Sequence, residues 1–130
     1  MSNRLEFDTI KKKAGDGYMD SKRMEEMQQE VEKHIGQYKE GYFSPLAMMA
    51  RLSEETGELA REINHYYGEK PKKETEQFKT LEQEMGDILF VLICFANSLH
   101  INLDEAFDLV MNKFRTRDVD RWTKIEEGDR

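Results

Sequence analysis

Two short acidic motifs have the residue types and the spacing to do chemistry. One is Glu54-Glu55-Thr56-Gly57-Glu58 and the other is Glu84-Met85-Gly86-Asp87. Both end in acid–x–Gly–acid, and on a helix two carboxylates three residues apart lie on one face. Each motif also places a glycine inside a helical pattern, which costs about 1 kcal/mol relative to alanine. We therefore expect two acidic helix faces, each with a glycine that leaves room for a close backbone or a ligand.

The segment between the motifs favours bringing these two faces together. The run Gly68-Glu69-Lys70-Pro71-Lys72-Lys73 predicts a helix stop and a turn. Glu58 lies ten residues before Gly68, and Glu84 lies ten residues after Glu74, where we expect the next helix to begin. Two antiparallel helices would then carry both motifs at one height, about 15 Å from the turn.

Four carboxylates at one height predict a bound cation, because their mutual repulsion would otherwise protonate them or separate the helices. Oxygen ligands favour a hard ion such as Mg²⁺, with Mn²⁺ as a substitute. Divalent ions held in this way suit in-line displacement at phosphorus, with an activated water as the nucleophile and basic side chains on the outer phosphates. The residues thus predict metal-dependent phosphate hydrolysis and leave open which bond is cut.

An ion pair is the simplest alternative for the first motif. Glu55 falls in register with the apolar stripe of its helix, between Leu52 and Leu59, where a lone buried charge would be costly. Arg51 or Arg61 could supply the opposite charge.

Two further classes of protein fit part of the pattern. A di-iron carboxylate bundle needs two Glu-x-x-His motifs, and Glu62-Ile63-Asn64-His65 supplies only one. A non-catalytic helical dimerisation module would explain the apolar third helix but would not need two matched pairs of acids. A nucleotide-sensing module, which binds a nucleotide without hydrolysing it, stays open as the other non-catalytic alternative.

The composition suits a single all-α domain. Of the 130 residues 36% are charged and 38% are hydrophobic, and only two are proline. The net charge of −7 argues against a nucleic-acid partner, although bound metal would still admit a nucleotide. The single cysteine, Cys94, and the lack of a signal sequence favour a cytoplasmic protein. The longest apolar run, Ile88 to Ala96, has nine residues, which is too short to span a membrane.

Apolar periodicity predicts four helices, over residues 21–38, 45–67, 74–100 and about 103–118. Asp20 or Ser21 would cap the first helix, Ser44-Pro45 would begin the second, and Asn102 would cap the fourth. The expected core stripes are, in chain order, Met24, Met27, Val31, Ile35 and Tyr38; Met48 or Met49, Leu52, Leu59 and Ile63; Phe78, Leu81, Met85, Ile88, Leu92, Phe95 and Leu99; and Ala106, Phe107, Val110, Met111 and Phe114. Past Asp87 the third helix is apolar on every side, so we expect a homodimer or a dimer of dimers to cover it.

The two motifs and their setting resemble the MazG-like nucleotide pyrophosphohydrolases of the all-α NTP pyrophosphatase superfamily. The similarity runs from Met24 to Trp122 and is strongest in Glu54-Glu55-Thr56-Gly57-Glu58-Leu59-Ala60 and Glu84-Met85-Gly86-Asp87-Ile88-Leu89-Phe90. The chain resembles the short, single-domain, YpjD-type branch. The resemblance implies a four-helix-bundle-like MazG fold completed by dimerisation. It also implies Mg²⁺-dependent hydrolysis of an NTP or dNTP to the monophosphate and pyrophosphate, by water attack on the α-phosphate.

The resemblance also assigns roles to residues. It implies that the metal ligands are Glu55, Glu58, Glu84 and Asp87. Glu54 would join Glu55 as a catalytic residue that orients water, and the phosphate-binding residues would be Lys113, Arg115 and Arg117. The base-binding side is marked only by side chains near the ends of the second helix; Tyr42, Phe43 and His65 are the main candidates, with Tyr66 beside them. We expect the helical domain to span residues 20–122, between a flexible N-terminal arm (1–19) and a C-terminal tail (123–130).

Overall fold

The computed structural model describes residues 22–69 and 80–128, and this part of the chain contains four α-helices and no strand. They are α1 (Met24–Ile35), α2 (Pro45–Tyr67), α3 (Leu81–Ser98) and α4 (Leu103–Asp118). The predicted all-α fold is confirmed. The predicted arm, residues 1–19, and the turn residues 70–73 lie outside the described residues.

Local chemistry sets both ends of α2 where the sequence predicts them. The Ser44 hydroxyl accepts a hydrogen bond from the Ala47 N–H at 3.3 Å, and Pro45 occupies the first turn. The helix ends at Tyr67, and at the following Gly68 an added Cβ would lie 2.5 Å from the Asn64 carbonyl oxygen. That approach leaves no room for a side chain at Gly68.

The predicted start of α3 at Glu74 is wrong. Thr80 has an extended backbone (φ −83°, ψ 156°), so no continuous helix can run through it. A capping box begins α3 at Leu81: the Thr80 hydroxyl accepts from the Gln83 N–H, and the Gln83 side chain accepts from the Thr80 N–H. The helix also ends at Ser98 rather than His100, whose φ is +56°.

Helix α1 is shorter than the sequence predicts. It begins after Arg23, whose side chain makes no capping hydrogen bond, and it ends at Ile35. The predicted caps, Asp20 and Ser21, lie outside the described residues. Tyr38 lies beyond the helix and is 56% exposed, so it is not part of the core stripe. By contrast, Asn102 caps α4 as predicted, because its side-chain oxygen accepts from the Glu105 N–H at 3.1 Å.

The core lies where α1, α2 and α3 meet. Helix α3 packs most extensively against α2, α1 packs against α3, and α4 packs against α1. The central buried cluster consists of Val31, Met48, Ile93 and Cys94, and the half-buried side chains around it are Met24, Met27, Ile35, Tyr42, Phe95 and Leu103. No residue of α4 is buried.

The predicted single apolar seam on α3 is wrong in its register. Three of its members, Met85, Leu92 and Leu99, are 53%, 39% and 42% exposed. Helix α3 packs between two helices, so its buried residues occupy two faces rather than one; they are Glu84, Val91, Ile93, Cys94 and Ala96. In the second helix Met48 is buried, whereas Met49 and Ile63 are exposed.

Among the described residues no single helix is long and apolar enough to cross a membrane. Helices α3 and α4 reach that length and apolarity only as a pair bent by 106°.

Candidate active site

Four carboxylates meet where α2 packs against α3. Glu55 and Glu58 come from α2, Glu84 and Asp87 come from α3, and one oxygen of each lies within 4.8 Å of the others. Glu84 is 1% exposed and Glu55 is 9% exposed, while Glu58 and Asp87 are open to solvent. We call these four residues the carboxylate cluster. It joins a buried side to an accessible side, as a site open to a ligand requires.

The cluster forms because each pair is spaced three residues apart on a helix that packs against the other. Burial of Glu84 and Glu55 in an acidic group is costly unless a cation or another donor offsets it. Four convergent carboxylate oxygens are hard ligands of the kind that Mg²⁺ and Mn²⁺ take in proteins. The donor set therefore fits a hard divalent cation.

The two motifs meet, but they do not lie at the equal distances from the turn that the sequence predicts. Glu84 stands three residues into α3 because the helix begins at Leu81, whereas Glu58 stands ten residues before Gly68. The two helices still bring the motifs together, through their packing rather than through equal distances from a turn. An added Cβ at Gly57 or Gly86 would meet nothing within 4 Å in the described chain, so neither glycine is needed there for helix–helix approach.

The ion pair considered as an alternative also exists. The Arg51 guanidinium lies 3.7 Å from Glu55 Oε1, one turn earlier on α2. It stands beside the carboxylate cluster rather than in place of it. Glu54, predicted as a catalytic residue, is exposed and lies outside the group of four.

A pocket of about 400 Å³ adjoins Arg51, whose side chain forms part of the pocket wall. Its walls come from the loop between α1 and α2 and from facing turns of α2 and α3; they include Tyr42, Phe43, Met48, Arg51, Phe90 and Val91. Most of these side chains are apolar or aromatic. A pocket of this character, next to a polar cluster, suits a flat organic group attached to a charged one.

Similarity to known proteins agrees with this geometry. The model of the MazG nucleotide pyrophosphohydrolase domain matches residues 43–122. The chain belongs to the MazG nucleotide pyrophosphohydrolase family. It is therefore a hydrolase that acts on nucleotide pyrophosphate bonds.

Individual relatives place the chain in the short, single-domain branch of the MazG family. An uncharacterised protein of Bacillus subtilis strain 168, YpjD, is 68% identical over 110 residues, which are 85% of this chain and 99% of the relative. The crystal structure of YpjD from Bacillus subtilis, described as a candidate pyrophosphatase, has a TM-score of 0.67 and covers 74% of this chain and 98% of its own. The crystal structure of the Bacillus-conserved MazG protein, a nucleotide pyrophosphohydrolase, is 54% identical, has a TM-score of 0.65, and covers 86% of this chain and all of its own.

The candidate base-binding residues of this MazG chain do not lie together. Tyr42 and Phe43 line the pocket, and Phe43 is 56% exposed. The His65 side chain is 3% exposed on α2, with Nδ1 3.7 Å from Glu62 Oε1. Across the described ranges, the carboxylate cluster is the only group of three or more metal-ligating side chains, so Glu62 and His65 form no di-iron site there.

Tyr42 is held in place by a hydrogen-bond network. Its hydroxyl donates to a Glu32 carboxylate oxygen and accepts from Asn97 Nδ2 at 3.0 Å. Asn97 also accepts from Gln28 Nε2 and donates to the Gln28 carbonyl oxygen, each at 2.9 Å. Burial, reinforced by the bond to Glu32, raises the pKa of Tyr42 to about 12. The network fixes one wall of the pocket to α1 and α3.

The predicted phosphate-binding residues lie on α4, away from the α2–α3 contact. Lys113 and Arg117 stack on the Phe114 ring, at 5.0 and 4.4 Å from its centre. Arg115 donates to Asn112 at 3.1 Å, and Arg117 pairs with Asp118 at 2.9 Å. Within the described chain, no hydrogen bond or ion pair joins these three cations to the carboxylate cluster.

Sequence reasoning considered Arg51 only as an ion-pair partner and did not identify Asn97. The position of Arg51, four residues before Glu55, was a usable signal, because it places both side chains on one helix face. Asn97 had no such signal, since its partners Gln28 and Tyr42 are 69 and 55 residues away in the chain.

Proposed function

We propose that this MazG protein hydrolyses a nucleoside triphosphate or deoxynucleoside triphosphate to the monophosphate and pyrophosphate, with Mg²⁺. The observation that carries the proposal is the carboxylate cluster, whose four oxygens converge within 4.8 Å between α2 and α3. The adjoining pocket of about 400 Å³ supports a substrate with both an organic and a phosphate part. Membership of the pyrophosphohydrolase family supports the type of bond that is cut.

The four carboxylates would hold the cation, with Mn²⁺ as a possible substitute for Mg²⁺. A bound divalent ion supplies positive charge for phosphate oxygens and makes a water more acidic. Glu84 and Glu55 are buried, so their packing keeps their oxygens in place before substrate arrives. Glu58 and Asp87 are exposed, so their oxygens are accessible to a nucleotide in solution.

Glu54 and Glu55 are our candidates for orienting the attacking water. Glu55 belongs to the carboxylate cluster, and Glu54 is the neighbouring acid on the exposed side of α2. A carboxylate accepts a hydrogen bond from water, which can direct the water oxygen toward the α-phosphate. Its attack there releases pyrophosphate as the leaving group.

The pocket is our candidate site for the nucleobase. Tyr42 and Phe43 contribute aromatic rings to its wall, and the network at Tyr42 keeps that wall in place. Lys113, Arg115 and Arg117 stay predicted phosphate-binding residues, although their helix packs against α1 in the described chain. His65, buried beside Glu62, does not line this pocket.

We also propose that the protein works as a homodimer or a dimer of dimers. Large apolar side chains remain exposed on two helices; they include Met85, Leu89, Leu92 and Leu99 on α3, and Phe107, Leu109 and Val110 on α4. A second copy would remove such surface from water. The single cysteine, Cys94, is buried and free, which supports a cytoplasmic location.

The test is release of pyrophosphate and monophosphate with Mg²⁺ across a panel of NTPs, dNTPs and modified nucleotides. Glu58→Gln is the blank, because it removes the negative charge of one of the four carboxylates at an exposed position. Glu82→Gln, the same change at an exposed residue of α3 outside the cluster, is the matched control.

We expect turnover in the unsubstituted protein and in the control, and none in the blank. Release of inorganic phosphate instead would show that another bond is cut. No turnover, with Mg²⁺ bound in calorimetry, would favour a nucleotide sensor over an enzyme. Absence of both turnover and Mg²⁺ binding would contradict the metal site as well as the enzyme activity.

A further inference from the structure

Arg51 stands at the boundary between the carboxylate cluster and the pocket. Its guanidinium lies 3.7 Å from Glu55 Oε1, and the same side chain lines the pocket wall. The pocket reaches α3 at Phe90, Val91 and Cys94, one to two turns beyond Asp87. A molecule that fills the pocket and reaches the cluster must therefore pass the Arg51 guanidinium.

The contact with Glu55 leaves the donors of Arg51 available. A distance of 3.7 Å is longer than a hydrogen bond, so the attraction is ionic without a shared proton. The side chain is 51% exposed, which gives it freedom to turn toward a ligand. A guanidinium carries five N–H donors in a planar fork that matches the oxygens of a phosphate.

The order of groups in a nucleotide decides which phosphate would lie there. The base and sugar are at one end, and the α-phosphate is the first charged group along the chain from them. With the base in the pocket and the outer phosphates at the carboxylate cluster, the boundary between the two regions belongs to the α-phosphate.

We propose that Arg51 binds the α-phosphate of the substrate, and therefore also the phosphate of the monophosphate product. The inference rests on the proposed function and adds a phosphate-binding residue on α2 to those predicted on α4. Arg51 leaves its ion pair with Glu55 when the nucleotide enters. Its positive charge then lies beside the oxygens bound to the phosphorus atom that the water attacks.

A purely structural role for Arg51 makes different predictions. If Arg51 only neutralises Glu55, removing its charge should strengthen binding of Mg²⁺ at the cluster and leave nucleotide affinity unchanged. If Arg51 binds the α-phosphate, its removal should weaken binding of the monophosphate and leave binding of the free nucleoside unchanged. The two roles are therefore separable by binding alone, without turnover.

The experiment is isothermal titration calorimetry of Arg51→Gln in Mg²⁺ buffer. The probes are the 5′-monophosphates of the four common ribonucleosides and of the four common deoxyribonucleosides, the corresponding free nucleosides, and inorganic pyrophosphate. Arg51→Lys keeps the charge but not the fork, and Arg121→Gln makes the same change beyond α4, next to Trp122. Thermal unfolding of each variant checks that the fold is intact.

We expect Arg51→Gln to bind the monophosphate roughly ten-fold to a hundred-fold more weakly, the usual effect of losing a hydrogen bond to a charged group. Arg51→Lys should lose less, and Arg121→Gln should match the unsubstituted protein. Affinities for the nucleoside and for pyrophosphate should stay within about two-fold.

Unchanged monophosphate affinity in Arg51→Gln would overturn the inference, as would equal losses for nucleoside and monophosphate. Failure of every monophosphate to bind the unsubstituted protein would overturn it too. Pyrophosphate release by the unsubstituted protein is measured separately. Its absence contradicts the proposed function, whereas an active enzyme with unaltered Arg51→Gln binding contradicts only the role of Arg51.

Discussion

The sequence predicts functional residues in two regions, the contact between α2 and α3 and the helix α4. The two regions differ in how far the fold buries these residues and brings them together. At the α2–α3 contact, two motifs with 25 residues between them converge into one carboxylate cluster, and Glu84 is only 1% exposed. Helix α4 has the predicted cap and length, yet none of its residues is buried and its cations contact only neighbours on the same helix. Spacing along a helix locates chemistry when the facing helix belongs to the same chain. On α4 no facing helix of the described chain covers the basic residues, so spacing alone leaves their phosphate-binding role a prediction.

The two regions also differ in what holds them. Helices α2 and α3 share the most extensive packing of the fold. Helix α4 is attached at its first turn by polar contacts from α1: the Leu103 N–H donates to Gln28 Oε1 at 2.9 Å, and the Glu25 N–H donates to Asp104 at 3.1 Å. A neutral hydrogen bond contributes about 1 kcal/mol and one to a carboxylate about 1.5–3 kcal/mol. Because α4 buries none of its residues, these few bonds hold it less firmly than packing holds α2 and α3.

The largest effect should come from Glu84→Gln. This change keeps the shape of the side chain but removes the charge from the buried side of the carboxylate cluster. We expect a loss of activity of roughly 10²–10³-fold, the size seen when one electrostatic stabiliser is removed from an active site. Mg²⁺ should raise the Tm of the unsubstituted protein and of Glu82→Gln, and should not raise that of Glu84→Gln.

Arg117→Gln, assayed beside Glu84→Gln, tests whether α4 contributes a phosphate contact to the reaction. A phosphate contact from α4 should raise KM and cost less than the loss at the cluster. Equal losses in the two variants would show that α4 contributes to the reaction as directly as the α2–α3 contact, and the distinction between the regions would fail.

The second prediction concerns the exposed apolar side of α4. Leu109 is 73% exposed, and a lysine there places a charge on surface that we expect a second copy to cover. Leu109→Lys should weaken self-association by about 2 kcal/mol, or roughly 30-fold in the dimer Kd, as at the centre of an interface. Sedimentation equilibrium measures this shift.

Asp108→Asn is the matched control, because it makes the same change of one charge unit at the adjacent exposed residue. If both variants associate like the unsubstituted protein, Leu109 lies outside any interface. In that case the apolar surface of α3 alone would have to support the dimer.

The third prediction tests how α4 is attached. Asn97→Ala removes both hydrogen bonds to Gln28 and the donor to the Tyr42 hydroxyl. The Gln28 side chain also accepts from the Leu103 N–H and donates to the Ile101 carbonyl oxygen, so without Asn97 it is held only from the segment that begins α4 and no longer from α3. We expect a loss of about 1–3 kcal/mol in the free energy of unfolding, because partly buried polar groups lose their partners.

Hydrogen exchange at the α4 amides should quicken more than exchange at the α2 amides. Ser98→Ala is the control, since Ser98 bonds only within its own helix, to the Phe95 carbonyl oxygen. Equal quickening in α2 and α4 would mean that the network stabilises the whole fold rather than the attachment of α4.

The sequence predicts those features whose causes are local. Ser44-Pro45 and Asn102 begin their helices as expected, because capping needs only residues within one turn. The start of α3 was misplaced although Thr80 and Gln83 form a capping box that the sequence already contains. The capping box lies inside residues 74–100, whose apolar periodicity predicts one continuous helix, and the periodicity hides the helix start at Leu81.

Features that depend on distant segments could not be predicted in the same way. The two buried faces of α3 follow from its position between α1 and α2, and periodicity along α3 cannot supply that position. The pocket depends on the loop around Tyr42, which the partners Glu32 and Asn97 hold from two other elements. The basic residues of α4 were recognised as a group, but their helix packs away from the carboxylate cluster.

The smallest predicted effect concerns the glycines of the acidic motifs. An alanine Cβ at Gly57 would meet nothing within 4 Å in the described chain, and helical alanine is favoured over glycine by about 1 kcal/mol. Gly57→Ala should therefore raise the free energy of unfolding by roughly 0.5–1 kcal/mol, measured by urea denaturation. Gly86→Ala, in the corresponding place on α3, should do the same. A variant that gains stability but loses turnover would show that substrate or a second copy occupies the space beside that glycine, which would extend the active site beyond the carboxylates themselves.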